Sequence, residues 1–213
     1  MKTPNQERYR HERNQQVQDR RQHIISTARE IFSTNGIENT TMLDLAEAAH
    51  ISKMTLYRYF PDRPTVAIEV AIDTIHQIRD RITQQLTITR TSENQLQNMF
   101  VAMIDAFPEL EKEFRFMAMF DSLYYSSYPT PELQQRYQAE VQNIFGRSLD
   151  TLITTLEGRE KFTKIITTAN MITSYLQRLA LRGELMSNEQ MVPIEIQLQY
   201  FRKIVVNITN DLF

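Results

Sequence analysis

Residues 41–60 read TMLDLAEAAHISKMTLYRYF, two short helical periods separated by a tight turn. In the first, Leu45, Ala46 and Ala49 recur on one narrow apolar face. Thr40 or Thr41 stands just before it, where a hydroxyl can cap orphan backbone N–H groups. Ala46 is small enough for a second helix to approach closely, as a helix-turn-helix requires. Ile51 fills the corner, and Ser52 can cap the second helix. There Leu56 and Phe60, four residues apart, form an inward anchor. Lys53, Met54, Thr55, Tyr57, Arg58 and Tyr59 share the other positions. Cations that neutralise phosphate or read guanine, hydroxyl donors, and methyl groups that can touch thymine suit a DNA-reading helix.

The spaced pattern T-x-x-D-L-A-x-x-A-x-I-S-x-x-T-L-Y-x-Y-F-x-D-R, from Thr41 to Arg63, resembles the DNA-binding domain of TetR-family transcriptional regulators. The likeness extends back through Ile24, Ile25, Ala28, Ile31, Phe32 and Asn35-Gly36-Ile37, and forward to about Ile78. It covers a little over a quarter of the chain. The sequence departs from the family at three positions. His50 stands at the turn where Gly is usual, Leu43 where Arg is common, and Met54 where a small residue is usual. The turn calls for positive φ, which His tolerates better than most side chains.

The resemblance implies an all-α protein. A flexible extension (1–20) would precede a three-helix helix-turn-helix domain (21–66), followed by a helical ligand-binding and dimerisation domain (67–213). It implies base-edge contacts from Lys53, Met54, Thr55 and Arg58, and phosphate contacts from Thr41, Tyr57, Tyr59 and Arg63, with Ser52 opening the reading helix. The implied partners are a palindromic double-stranded DNA operator, a small-molecule effector and a second copy of the chain. The expected activity is repression released by the effector.

Composition agrees with helix. Only 4 of 213 residues are Gly, and period-two alternation is scarce. The net charge of -2 does not itself mark a nucleic-acid binder. Residues 1–63 hold ten Lys/Arg against eight Asp/Glu, and the remainder is net acidic, so the basic footprint is local. With 0 Cys, disulfides and thiolate sites are excluded. No signal-peptide core or membrane-length apolar run occurs, and a cytoplasmic protein is expected.

Along the chain, residues 1–20 are polar and read as a tail or as a solvated extension of the first helix. The sharper alternative is a basic arm using Arg13, Arg20 or Arg21 on DNA. Helices are expected over Arg21–Asn35, ended by Gly36, and from about Arg63 to Thr87, capped by Asp62. Ser92 and Gln95 form a capping-box signature for the next. Further helices are expected over Glu109–Tyr125, from Pro131 to about Leu156 with Gly158 as its stop, and over Glu160–Leu181 and Ile194–Leu212.

Phe107, Phe116, Met117, Phe120, Tyr124 and Tyr125, with Phe114, form an apolar set that can line a ligand cavity or serve as ordinary core. Arg115 and Asp121 would orient a ligand there. The resemblance pairs the last two helices with their copies in a four-helix bundle, and Met171, Tyr175, Leu179, Phe201 and Val205 are the interface candidates. No catalytic residue, metal site or cofactor is expected: Gly-rich phosphate loops, G-x-S-x-G and H-E-x-x-H are missing. Asp73, His76 and Asp80 share one helical face, better read as solvated than as a cation site. A regulator controlled by a protein partner is the alternative. An all-helical enzyme or scaffold is a more distant one.

Overall fold

The computed structural model describes residues 4–88, 95–125, 130–143, 156–182 and 192–210. All regular structure among the described residues is helical. In chain order the helices are α1 (Pro4–Asn35), α2 (Met42–Ala48), α3 (Lys53–Tyr59), α4 (Arg63–Ile88) and α5 (Gln95–Asp105). After a 3-10 turn at Phe107–Glu109 come α6 (Glu111–Tyr125), α7 (Pro131–Val141), α8 (Leu156–Arg182) and α9 (Ile194–Asn210). Two compact units result, residues 1–73 and 74–213, with the division inside α4.

In the first unit, Ile24, Phe32, Ile37, Leu45, Leu56 and Phe60 are all but completely buried. α1 stops at Gly36, which takes φ +84 and donates its N–H to the Phe32 carbonyl at 2.9 Å. Thr40 is buried and its hydroxyl donates back to the Gly36 carbonyl, so the turn carries its own satisfied polar group. α4 opens on Asp62, whose carboxylate accepts from the Thr65 N–H at 2.8 Å. Two ion pairs then tie α4 to α1: Arg21 to Glu69, and Arg29 to Asp73 at 3.2 Å, with Gln22 also donating to Asp73. Residues 4–20 continue α1 as one uninterrupted helix, and side chains 8–20 are exposed all round.

The second unit is built on long amphipathic helices. Phe100, Phe107, Phe114 and Phe116 are fully buried. Gln97 bolts α5 to α9 by donating to Thr209 Oγ1 at 2.9 Å and to the Val206 carbonyl at 3.1 Å. Arg115 Nε bolts α6 to α8 through the Ala180 carbonyl at 3.0 Å. α7 buries none of its residues and is held by Tyr137, whose ring packs on Phe120 and Tyr124.

Two expectations shift. Gly158 lies inside the first turn of α8 instead of ending the helix before it. It has no positive φ, and near a helix start its missing Cβ costs little. On α9 Ile208 faces solvent, and the buried position goes to Thr209, whose hydroxyl donates to the Val205 carbonyl at 2.7 Å. That self-satisfaction lets a polar residue take a core site. The Ser92 cap and the stretch 144–155 of the expected seventh helix lie outside the described residues.

Candidate nucleic-acid interface

α3 is only seven residues long, so its ends must be held by side chains and neighbours. Ser52 supplies the N-cap: its Oγ accepts from the Thr55 N–H at 3.1 Å and lies 2.8 Å from Thr55 Oγ1. Leu56, with 0% exposure, and the C-cap residue Phe60 anchor the inner side. α2 is held in the same way by a reciprocal capping box. The Asp44 N–H donates to Thr41 Oγ1, and Thr41 N–H donates to the Asp44 carboxylate at 2.8 Å. Hydrogen bonds from the Thr41 backbone, then from its hydroxyl, hold the Asp44 carboxyl below its ordinary range.

The α2–α3 corner turns on His50, which sits at φ 53 as that position requires. Its N–H donates to the Glu47 carbonyl at 3.1 Å, and the Ile51 N–H to the Ala46 carbonyl at 3.0 Å. Both helices are thereby fixed before any ligand arrives.

The sequence-expected reading residues fall into three groups. Lys53, Met54, Tyr57 and Arg58 are exposed on one helix, Met54 at 79% and Tyr57 at 45%. Lys53 Nζ stands 5.9 Å from the centre of the Tyr57 ring, a cation–π pair that presents an ammonium and a phenol side by side. Thr55 and Tyr59 are half-buried, Thr55 with its hydroxyl against Ser52 and Tyr59 with its ring against Phe60. Arg63 stands apart. Its Nη1 donates to the Glu38 and Thr40 carbonyls, stapling the α1–α2 turn to the start of α4. Leu43, on α2, is 49% exposed.

Sequence reasoning missed the ion pairs that tie α1 to α4. From the sequence Arg21 offers itself as part of an arm or as the start of the first core helix; in the structure its guanidinium pairs with Glu69 and lies 5.2 Å from the centre of the Phe60 ring. Glu69 sits among apolar residues of α4, and a lone acid inside an apolar run is the signal that points to a buried partner. Asp73, His76 and Asp80 are not brought together: they pair respectively with Arg29, Glu140 and Arg79. No group of three or more metal-ligating side chains occurs among the described residues.

In the second unit Phe107, Phe116, Met117 and Phe120 are buried. Tyr124 is half-buried at 5.0 Å from the Tyr137 ring, and Tyr125 ends α6 with its side chain outside the described set. Asp121 accepts from Gln177 Nε2 at 2.7 Å, and burial pushes its carboxyl above the ordinary range. Of the interface candidates, Leu179, Phe201 and Val205 are turned into their own unit, and the Tyr175 ring packs 4.0 Å from Phe201. Only Met171 is exposed. The apolar side chains that α9 leaves outside are Ile196, Tyr200, Ile204 and Ile208, spaced four apart on one stripe.

Comparison with known proteins places this geometry. Residues 24–70 match the family described as bacterial regulatory proteins, tetR family. The chain is 35% identical over 74 residues to the HTH-type transcriptional regulator HbdR of Aromatoleum sp. (strain CIB), covering 33% of this chain and 32% of that protein. It is 28% identical over 86 residues to the HTH-type transcriptional regulator LuxR of Vibrio harveyi, covering 40% and 42%. These matches therefore span less than half of each curated relative. Over nearly the whole length, the fold is that of a TetR-family transcription regulator from Marinobacter aquaeolei VT8, with a TM-score of 0.62 at 15% identity, covering 92% of this chain and 97% of that one.

Proposed function

With residues 24–70 a TetR-family DNA-binding domain, we propose that the whole chain is a homodimeric, sequence-specific transcriptional regulator, a repressor that leaves a palindromic operator when a small molecule binds its second unit. The observation that carries the reading is α3 itself. It is capped at Ser52, anchored by Leu56 and Phe60, and offers Lys53, Met54, Tyr57 and Arg58 outward. Lys53, Met54 and Arg58, with the Thr55 methyl, meet base edges in the major groove. Tyr57, Tyr59 and Thr41 meet the phosphates, while Arg63 holds the α1–α2 turn in place against the start of α4.

Dimerisation uses the α9 stripe of Ile196, Tyr200, Ile204 and Ile208, with Met171 of α8. An exposed apolar row of this length, on a helix whose other apolar row of Leu198, Phe201 and Val205 already meets its own core, fits a second copy. Two-fold symmetry then gives half-sites about one turn (~34 Å) apart. The effector enters the aromatic set of α6 and α7, where half-buried Tyr124 and Asp121 supply polar groups beside Phe120. To release the operator it must bind the DNA-incompetent state more tightly than the competent one.

The test is selection of bound sequences from a random duplex pool with the purified protein at moderate salt. A palindromic motif is expected. No enrichment, at salt low enough to retain non-specific binding, would overturn the reading. Tyr57→Phe should weaken binding to all sequences alike, whereas Met54→Ala should relax preference at one base position.

A further inference from the structure

We infer that the N-terminal half of α1 is a second DNA-contacting element, which lays Arg10, Arg13 and Arg20 along the phosphate backbone flanking the operator half-site. The inference rests on the DNA-binding reading above and adds a surface to it.

A helix so polar has no reason to continue beyond the domain it starts, because side chains 8–20 are exposed and bury no core. Its charges are nonetheless sorted. At about 100° per residue, Arg10, Arg13, Val17, Arg20 and Arg21 fall within an arc of roughly 100° centred near Ile24. Downstream, that arc is the buried stripe of Ile24 and Ala28. Upstream, the stripe changes from core to arginine without leaving its side of the helix.

Of the three acids in residues 1–20, two lie elsewhere, and Glu7 falls beside the arc, about 60° from Arg10. Glu12 and Asp19 are on the opposite half of the helix and are already engaged, Glu12 by Arg8 at 3.3 Å and Asp19 by Gln15 at 2.9 Å. Among the described residues no carboxylate pairs with Arg10, Arg13 or Arg20. Arg21 is neutralised by Glu69, but the described side chains offer Arg10, Arg13 and Arg20 no carboxylate partner.

Its location fits the partner. Arg21, the last arginine of the stripe, lies over the ring of Phe60, which caps the C-terminal end of α3. The stripe thus begins beside the reading helix and runs outward from it. Residues 10 to 20 span about 15 Å of helix, against one phosphate per ~3.4 Å of duplex axis on each strand, so three arginines can reach separate phosphates. The contact is electrostatic and carries no sequence information of its own.

The test uses the full-length protein and duplexes carrying the motif selected by the wild type. One duplex ends at the motif; the other continues for about ten base pairs on each side, more than the extension can reach. The wild type should prefer the longer duplex. R10A/R13A/R20A should lose that preference and about tenfold or more in affinity near 0.15 M salt, with the slope of log affinity against log salt falling by about 2 to 5. R10K/R13K/R20K should restore both. Alanine favours helix, and the folded state is checked by circular dichroism. Equal affinity of the wild type for the two duplexes, or an unchanged salt slope in the alanine variant, would overturn the inference while leaving motif binding intact. A wild type that selects no motif overturns the regulator reading, and with it this one.

Discussion

α3 and α9 are both amphipathic helices with one face buried and one left outside, yet the outer faces differ: that of α3 is mainly polar and cationic, whereas that of α9 carries an apolar row beside Arg202 and Lys203. α3 exposes an ammonium, a guanidinium, a phenol and one thioether over two turns. α9 exposes Ile196, Tyr200, Ile204 and Ile208 over four. A polyanion is recognised by the first kind of surface, because counterion release rewards each cation it meets. The second kind gains nothing from a polyanion and is stabilised only by another apolar face. The contrast assigns the two proposed partners to different faces without reference to any ligand.

The widest break in that comparison comes from exchanging the chemistry of one face. Tyr200→Asp with Ile204→Asp places charge on exposed positions of α9, so the fold should survive while assembly fails. Sedimentation should then show a monomer at micromolar concentration. Affinity for a palindromic duplex should fall by on the order of 10²-fold or more, because the second head no longer binds intramolecularly. Lys53→Ala with Arg58→Ala is the mirror experiment. Each lost contact removes about 1–3 kcal/mol of DNA recognition, while sedimentation should be unchanged. A dimeric α9 variant would show that the exposed stripe has another use, and a monomeric α3 variant would show that the two faces are not independent.

The two faces were unequally legible in the sequence. α3 was readable residue by residue, because a short helix needs local devices and these are local in the chain: Ser52 before it, Leu56 and Phe60 within reach, His50 at the turn. α9 was readable as a helix but not as an oriented one. Its apolar residues form two rows, and periodicity gives both without saying which meets its own core. Phe201 and Val205 turned inward, and Ile204 and Ile208 outward, through contacts with helices distant in sequence, such as the Tyr175 ring on Phe201. The Arg21–Glu69 and Arg29–Asp73 pairs escaped for the same reason: their partners are more than forty residues apart.

Those pairs also sharpen the comparison. Glu69 is 4% exposed, and Glu69→Ala leaves Arg21 without its buried counter-charge. Because Arg21 is 29% exposed and can be hydrated, the expected loss is about 1–2 kcal/mol, read as a lower urea midpoint. DNA affinity of the fraction that remains folded should fall much less than in the α3 double variant, because Glu69 ties α4 to α1 instead of lying on the reading surface. Equal losses of affinity would mean that the pair also sets the pose of α3, through the Arg21 guanidinium over Phe60.

The smallest effect is expected at Asp121, and its sign is informative. Burial raises its folded pKa above the unfolded value, and the Gln177 hydrogen bond offsets only part of that. The group therefore favours folding most below the ordinary carboxylate range, near 3.9, and that contribution is lost as pH rises through the raised folded value. The ionised form is the one that burial disfavours. Asp121→Asn should raise Tm modestly at pH 7, and the difference should vanish as pH is lowered. A structural residue would be improved by this change at no cost. If the aromatic set of α6 and α7 takes the effector, the same variant should be more stable and respond less to it, because a carboxyl whose pKa is raised by burial at a net cost to folding is characteristic of a site and not of a core.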